Sequence, residues 1–293
     1  LANRVVIADG AMGTMLQAAN PSLEDFQGHE GCNEVLNITR PELVEDIHRR
    51  YFSVGVDAVE TNTFGANLAN LGEYGISERI FELAEAGARI ARKAADSFST
   101  PDAPRWVLGS LGPGTKLPTL GHASYEELRS AYETASQGLI EGGADALLIE
   151  TTQDLLQAKA AVNGARAAMN RCERDLVLIA QVTVETTGTM LLGSEIGAAL
   201  NSLAALGVDV VGMNCATGPA EMSEHLRTLS KSSPVAISCM PNAGLPVLKD
   251  GGAFYPLGAK ELATSLSNFV DDYGVGLIGG CCGTTPEHLA EVV

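Results

Sequence analysis

Eight short apolar runs, each followed by an amphipathic stretch, set the tightest limit on how this chain can fold. The runs cover residues 4–10, 57–64, 105–112, 144–151, 176–185, 208–215, 234–240 and 275–281. Most are nearly continuous in Val, Ile, Leu and Ala, the pattern of strands buried on both faces. Helical stretches follow at 41–54, 77–98, 124–142, 153–171, 195–206, 219–231, 257–273 and from 286 onward. Pro41, two residues after Thr39, suits a first helical turn. Ser124 precedes Glu127 by three residues, a capping-box spacing. The phrases "SVGVD", "EGGAD" and "ALGVD" each supply a glycine stop and then enter a strand. Strict alternation of this kind implies a parallel sheet. Eight strand–helix units in 293 residues match a (β/α)8 TIM barrel, typically about 250 residues, better than a doubly wound open sheet. No linker or low-complexity segment interrupts the series, so one α/β domain over residues 1–293 is expected.

Charge narrows the partners. With 36 acidic and 19 basic residues the formal net charge is -17. That balance opposes phosphate backbones and anionic membrane surfaces, so neither nucleic acid nor membrane is an expected partner. No apolar run reaches the ~18 residues of a membrane span, and the start lacks the basic-then-apolar pattern of a signal peptide. Six cysteines lie at 32, 172, 215, 239, 281 and 282. Two are adjacent, which is a poor disulfide framework, so reduced thiols in a cytoplasmic protein are expected. The chain opens almost directly on a strand without an initiator Met and stops inside its last helical stretch at Val293, as an excised module of a larger protein would.

In TIM barrels the chemistry lies where strands end and βα-loops begin. Read in order, those positions offer Asp9 and Gly10, then Glu60, Thr61 and Asn62, then "GSLGPG", Glu150, Thr183 and Glu185, Asn214 and Cys215, Asn242, and finally Cys281 and Cys282. Strands six and eight of a barrel contribute to the same interior layer, so their cysteines can converge. Neighbours in a regular strand point to opposite faces. Cys281 and Cys282 can therefore share one metal only if the strand breaks, and the flanking Gly279, Gly280 and Gly283 give that freedom. Three thiolates suit Zn²⁺, and three protein ligands leave the fourth position open, as in catalytic rather than structural sites. A free cysteine is also often a small buried hydrophobe. Cys32, Cys172 and Cys239 are read that way, and for the other three the residue pattern alone leaves both readings open.

Two motifs are set aside. "GVGLIG" (Gly274 to Gly279) matches G-x-G-x-x-G but leads into a strand instead of out of one, with no acidic partner about 20 residues on. "DIH" (Asp46 to His48) begins like a cobalamin-ligand loop, yet it falls within a helical stretch with Tyr51 where that loop needs glycine. It is read as a solvated helix face.

The phrases "DGAMGTMLQ", "CNEVLNITRPELVEDIHRRYFSVGVDAVETNTFGAN", "IETTQDLLQAKAA", "GMNCATGP" and "GGCCGTTPEHLAEV" together resemble the homocysteine S-methyltransferase family. Within it the chain looks most similar to the homocysteine-binding module of cobalamin-dependent methionine synthases, from about residue 5 to its end. The resemblance implies a TIM barrel with Zn²⁺ on Cys215, Cys281 and Cys282, which would be the catalytic centre, and L-homocysteine sulfur at the open position. By the same resemblance, Asp9 and Glu150 contact the substrate amino group, the Gly10–Ala11 backbone lies close to the amino acid, and Glu60, Thr61 and Asn62 line the matching wall. The family's full enzymes add a folate-binding barrel, a cobalamin module and a reactivation module that these residues do not contain. The methyl donor expected is thus methylcobalamin carried on a separate module.

Chemically, a thiol is mostly protonated at neutral pH and its thiolate is the nucleophile. A bound Zn²⁺ deprotonates a coordinated thiol outright, so no separate general base is needed. The expected reaction is methyl transfer to the sulfur of homocysteine, giving methionine. Other readings share parts of this pattern: a cobalamin-independent homocysteine S-methyltransferase using S-methylmethionine or betaine, a non-catalytic zinc or thiol-binding module, and a barrel of unrelated chemistry with buried cysteines.

Overall fold

The structure, a computed structural model, describes residues 4–249 and 252–293. Residues 1–3 and 250–251, included in the single domain expected from sequence, lie outside the described residues. Among the described residues ten strands occur in chain order: β1 (Val6–Ile7), β2 (Ala58–Glu60), β3 (Trp106–Leu111), β4 (Ala146–Thr152), β5 (Val177–Val182), β6 (Val210–Asn214), β7 (Ala236–Met240), β8 (Val247–Lys249), β9 (Gly252–Phe254) and β10 (Leu277–Ile278). Eight of them form one parallel sheet in the order β1-β10-β7-β6-β5-β4-β3-β2. The two ends meet through Asp57, whose N–H donates to the Ile7 carbonyl at 2.7 Å and whose carboxylate accepts the Ile7 N–H at 2.9 Å. Arg4 grips that carboxylate with two bonds of 2.8 and 2.9 Å. A side chain thus replaces one ladder acceptor, and the sheet becomes a TIM barrel.

Period two along the strands decides what faces the barrel axis. Ala58, Leu108, Leu148 and Val210 pack together inside the barrel. Their odd-numbered and intervening neighbours, such as Val107, Leu147, Ile149, Val211 and Met213, join the larger core beneath the helices. One step up the inward face, the same alternation delivers Glu60, Ser110, Glu150 and, two steps above Val210, Asn214 to the mouth of the barrel.

The surrounding helices are Pro41–Ser53, Ile80–Phe98, Tyr125–Glu141, Leu155–Arg171, Ile196–Ala205, Pro219–Ser232, Ala259–Tyr273 and Pro286–Val292. Pro41 begins the first of them, and the Ser124–Glu127 capping box is formed at both of its bonds. The stretch expected from 77 opens with a 3-10 turn, Ser77–Arg79, before the α-helix. None of the helices among the described residues is long and apolar enough to cross a membrane.

Several sequence expectations need correcting. His48 does not lie on a solvated face. Asp46 is exposed, but Val44, Ile47, His48, Tyr51 and Phe52 form the buried stripe of their helix. Position 48 falls one turn after Val44, so helical periodicity carries it into the core. Burial pushes its imidazole down to about 3, and neither ring nitrogen has a hydrogen-bond partner among the described residues. Of the three cysteines read as small hydrophobes, Cys32 and Cys239 are buried, whereas Cys172 ends the helix Leu155–Arg171 half-exposed. Strands β1, β2 and β10 are shorter than the apolar runs that contain them. Beyond β10 the chain bends at the mouth, where the Gly280 N–H donates to the Asp9 carbonyl at 2.9 Å. The antiparallel hairpin β8–β9, inserted between β7 and its helix, was not anticipated.

Candidate metal centre

Cys215 follows directly on β6, and Cys281 and Cys282 follow β10 by three and four residues. The sulfurs of all three lie within 4.8 Å of one another, with Cys215 Sγ and Cys282 Sγ 3.9 Å apart. The backbone explains how neighbours in sequence reach one point. Cys215 adopts the left-handed region, φ +58°, which turns its side chain from the strand direction toward the mouth. The strand carrying the pair has already ended, and the Cys281 N–H donates to the Pro241 carbonyl at 2.8 Å. Asn242 Oδ1 accepts the Cys282 N–H at 3.1 Å, and Thr284 Oγ1 donates to the Cys281 carbonyl at 2.6 Å. Gly283, with φ +78°, completes the turn, and a Cβ there would fall 2.3 Å from Tyr255 Cγ, so a side chain fails on both backbone and space.

The donor set fits a borderline-soft, tetrahedral dication. No histidine or carboxylate joins the three sulfurs in one cluster among the described residues. The close sulfurs perturb one another's ionisation. Hydrogen bonds from Cys215 and then Cys281 draw the Cys282 thiol down to about 3, while Cys281, held by Cys215 and Cys282, is pushed well up. Three thiolates this close repel one another, and a cation bound among them would relieve that repulsion.

Beside the sulfurs opens a cavity of about 420 Å³, lined by Gly10, Ala11, Glu60, Thr61, Asn62, Glu150, Thr151 and the three cysteines among others. Its lining among the described residues includes no lysine or arginine. Glu34, Glu60 and Glu150 line the cavity, and Asp9, which is not among the lining residues, is buried against the Glu60 backbone. Asp9 is 1% exposed. One of its oxygens accepts the Glu60 N–H at 3.0 Å, and the other has no hydrogen-bond partner among the described residues. Glu150 accepts the Ser110 hydroxyl at 2.5 Å and the Asn214 amide at 3.1 Å. Burial first, and the proximity of Glu150 after it, raise Asp9 well above the carboxylate range. Burial, then Glu150 and Asp9, do the same to Glu60, and burial lifts Glu150 to about 7. Crowded, desolvated acids of this kind are stabilised in their ionised form by an incoming cation.

Thr61 and Asn62 shape the wall but spend their polar groups on the framework. Thr61 Oγ1 accepts the Ser110 N–H at 3.0 Å, and the Asn62 amide donates to the Asn33 carbonyl and to Asn37 Oδ1. Gly10 and Ala11 are stapled to the metal loop: the Ala11 N–H donates to the Thr284 carbonyl at 3.1 Å, and the Tyr51 hydroxyl bonds both Ala11 and Thr284 carbonyls.

Ser110, Thr151, Thr284 and Tyr255 also build the site, although sequence reading gave them no role. Ser110 could have been found from its period-two spacing to Leu108. Tyr255 had no such signal, because the β8–β9 hairpin brings it over Gly283.

The family model described as homocysteine S-methyltransferase matches residues 6–293. The chain is 62% identical over 292 residues to a methionine synthase of Mycobacterium tuberculosis, and 61% identical to one of Mycobacterium leprae. Each alignment covers 100% of this chain but 24% of the relative, so the chain spans about a quarter of the length of these proteins. Among solved structures, the metallated form of the homocysteine methyltransferase MmuM from Escherichia coli superposes with a TM-score of 0.79 at 23% identity, covering 99% of this chain and 96% of that one.

Proposed function

The chain belongs to the homocysteine S-methyltransferase family, and on that premise we propose that it binds zinc through Cys215, Cys281 and Cys282 and methylates L-homocysteine to methionine. The observation that carries this reading is the meeting of three sulfurs within 4.8 Å at the rim of a cavity whose buried charges are all acidic. A zinc ion held by those three thiolates would supply the Lewis acidity that keeps a substrate thiol ionised at neutral pH.

The chain's own groups supply the rest. Asp9 and Glu150 take the substrate ammonium through charge-assisted hydrogen bonds. Asp9 has a free oxygen for the purpose, and Glu150 is held rigid by Ser110 and Asn214. Arrival of the ammonium offsets the crowding that raises these acids, so binding and ionisation reinforce one another. Glu60 adds a third negative group at the same wall. Thr61 and Asn62 fix the wall's shape, and the Gly10–Ala11 backbone is fixed beside the cysteine turn through Thr284 and Tyr51. Positioning of sulfur and amine together is the main rate effect these residues provide.

The methyl donor we propose is methylcobalamin, borne by a cobalamin-binding module outside this chain and recharged through a folate-binding module. Support comes from the 62% identity to a much longer methionine synthase. Reduced, uncrosslinked cysteines fit a cytoplasmic setting. The test offers the zinc-loaded chain homocysteine with methylcobalamin, S-methylmethionine or betaine in turn. Methionine formed with free methylcobalamin, and not with the other two, is the expected result. Turnover with S-methylmethionine or betaine, and none with methylcobalamin, would overturn the donor assignment.

A further inference from the structure

Asn214 stands between the two halves of the proposed site, and its amide is committed to both. It is 1% exposed and ends β6, one residue before Cys215. Its Oδ1 accepts the Thr151 N–H at 2.7 Å. Its Nδ2 lies 2.8 Å from Thr151 Oγ1, 3.1 Å from Glu150 Oε2 and 4.0 Å from Cys281 Sγ. One planar group thus touches a carboxylate of the acidic wall, the residue after it, and a sulfur of the metal cluster.

The backbone on either side is strained in the same way. Thr151, directly after Glu150, has φ +56°, and Cys215, directly after Asn214, has φ +58°. A non-glycine residue in this region is strained and persists only where its surroundings over-determine it. The Asn214 amide does so for Thr151, holding both its N–H and its hydroxyl. Chemistry restricts the choice of side chain. An amide can accept from a backbone N–H while its two N–H groups donate to the Thr151 hydroxyl and the Glu150 carboxylate, with Cys281 Sγ left in contact at 4.0 Å. Aspartate would add a further acid next to Glu150, and leucine would leave the Thr151 N–H and one Glu150 oxygen without this partner.

We infer that Asn214 is a positioning residue that fixes Glu150 relative to the metal-binding sulfurs, so that one bound amino acid can present its amine and its thiol to both at once. The inference rests on the homocysteine reading above. It makes Asn214 a determinant of selectivity for thiols that also carry an α-ammonium, without contact between Asn214 and the reacting atoms.

The experiment uses the cobalt-substituted chain, whose thiolate absorption changes when a further thiol binds, and titrates it with homocysteine and with 4-mercaptobutyrate, which lacks the amine. The unmodified chain should prefer homocysteine by about tenfold or more, the range of a charge-assisted bond. In Asn214→Ala this preference should fall to that of Glu150→Gln, within about threefold, while 4-mercaptobutyrate binds nearly as before. An undiminished preference, or equal weakening of both thiols in a folded, metal-loaded variant, would overturn the positioning role. Should Asn214→Ala not fold, the isosteric Thr151→Val removes one acceptor of the amide. A selective loss for homocysteine is then expected, and an unchanged ratio overturns the role. A cobalt spectrum that neither thiol moves in the unmodified chain would overturn the homocysteine reading itself, a different failure from loss of selectivity alone.

Discussion

Cys282→Ala should lower zinc affinity by at least about a hundredfold and abolish methyl transfer. Losing only an outer partner of a metal ligand commonly costs about ten- to a hundredfold, and here a direct ligand is removed from a set of three. The remaining sulfurs, on Cys215 and Cys281, come from loops held independently by the Met240 and Pro241 carbonyls, so the barrel should survive the change. The comparison is Cys239→Ala. That sulfur is fully buried beside Met222 Sδ, 3.7 Å away, and its loss should reduce stability while leaving zinc in place. Metal content after dialysis against a competing chelator separates the two variants. One zinc per chain and undiminished turnover in Cys282→Ala would contradict the metal assignment.

The second large effect is expected from Asp9→Asn. The substitution can keep the acceptor that takes the Glu60 N–H, through its remaining oxygen, and replaces the partnerless oxygen by an amide NH₂. The barrel contact is retained and the charge available to an ammonium is lost. Homocysteine affinity should fall by about ten- to a hundredfold, the span of a charge-assisted bond, with zinc content unchanged. Calorimetric titration of the zinc-loaded variant measures both quantities. Unaltered affinity would remove Asp9 from amine recognition.

Much of this was legible in the chain because two periodicities carry it. Continuous Val/Ile/Leu/Ala runs alternating with capped helices specify a parallel barrel, and period two within those runs places Glu60 and Glu150 on its inner face. Convergence of the cysteines was legible as far as strand phase allows. What spacing could not supply was the local conformation that completes it: the left-handed turn at Cys215, the Asn242 and Thr284 bonds to the cysteine loop, and the commitment of the Asn62 side chain to Asn37 instead of the cavity. These depend on partners distant in sequence. His48 shows the reverse case. With its loop motif set aside it was read as part of a solvated helix face, while simple helical spacing from Val44 already placed it inside.

The most direct test of the central claim is X-ray absorption at the zinc edge, with the chain loaded with one equivalent of metal and measured before and after homocysteine. Three sulfurs and one lighter donor should give way to four sulfurs when the amino acid is added. A coordination shell already closed by four protein ligands, and indifferent to homocysteine, would contradict an open catalytic centre on Cys215, Cys281 and Cys282.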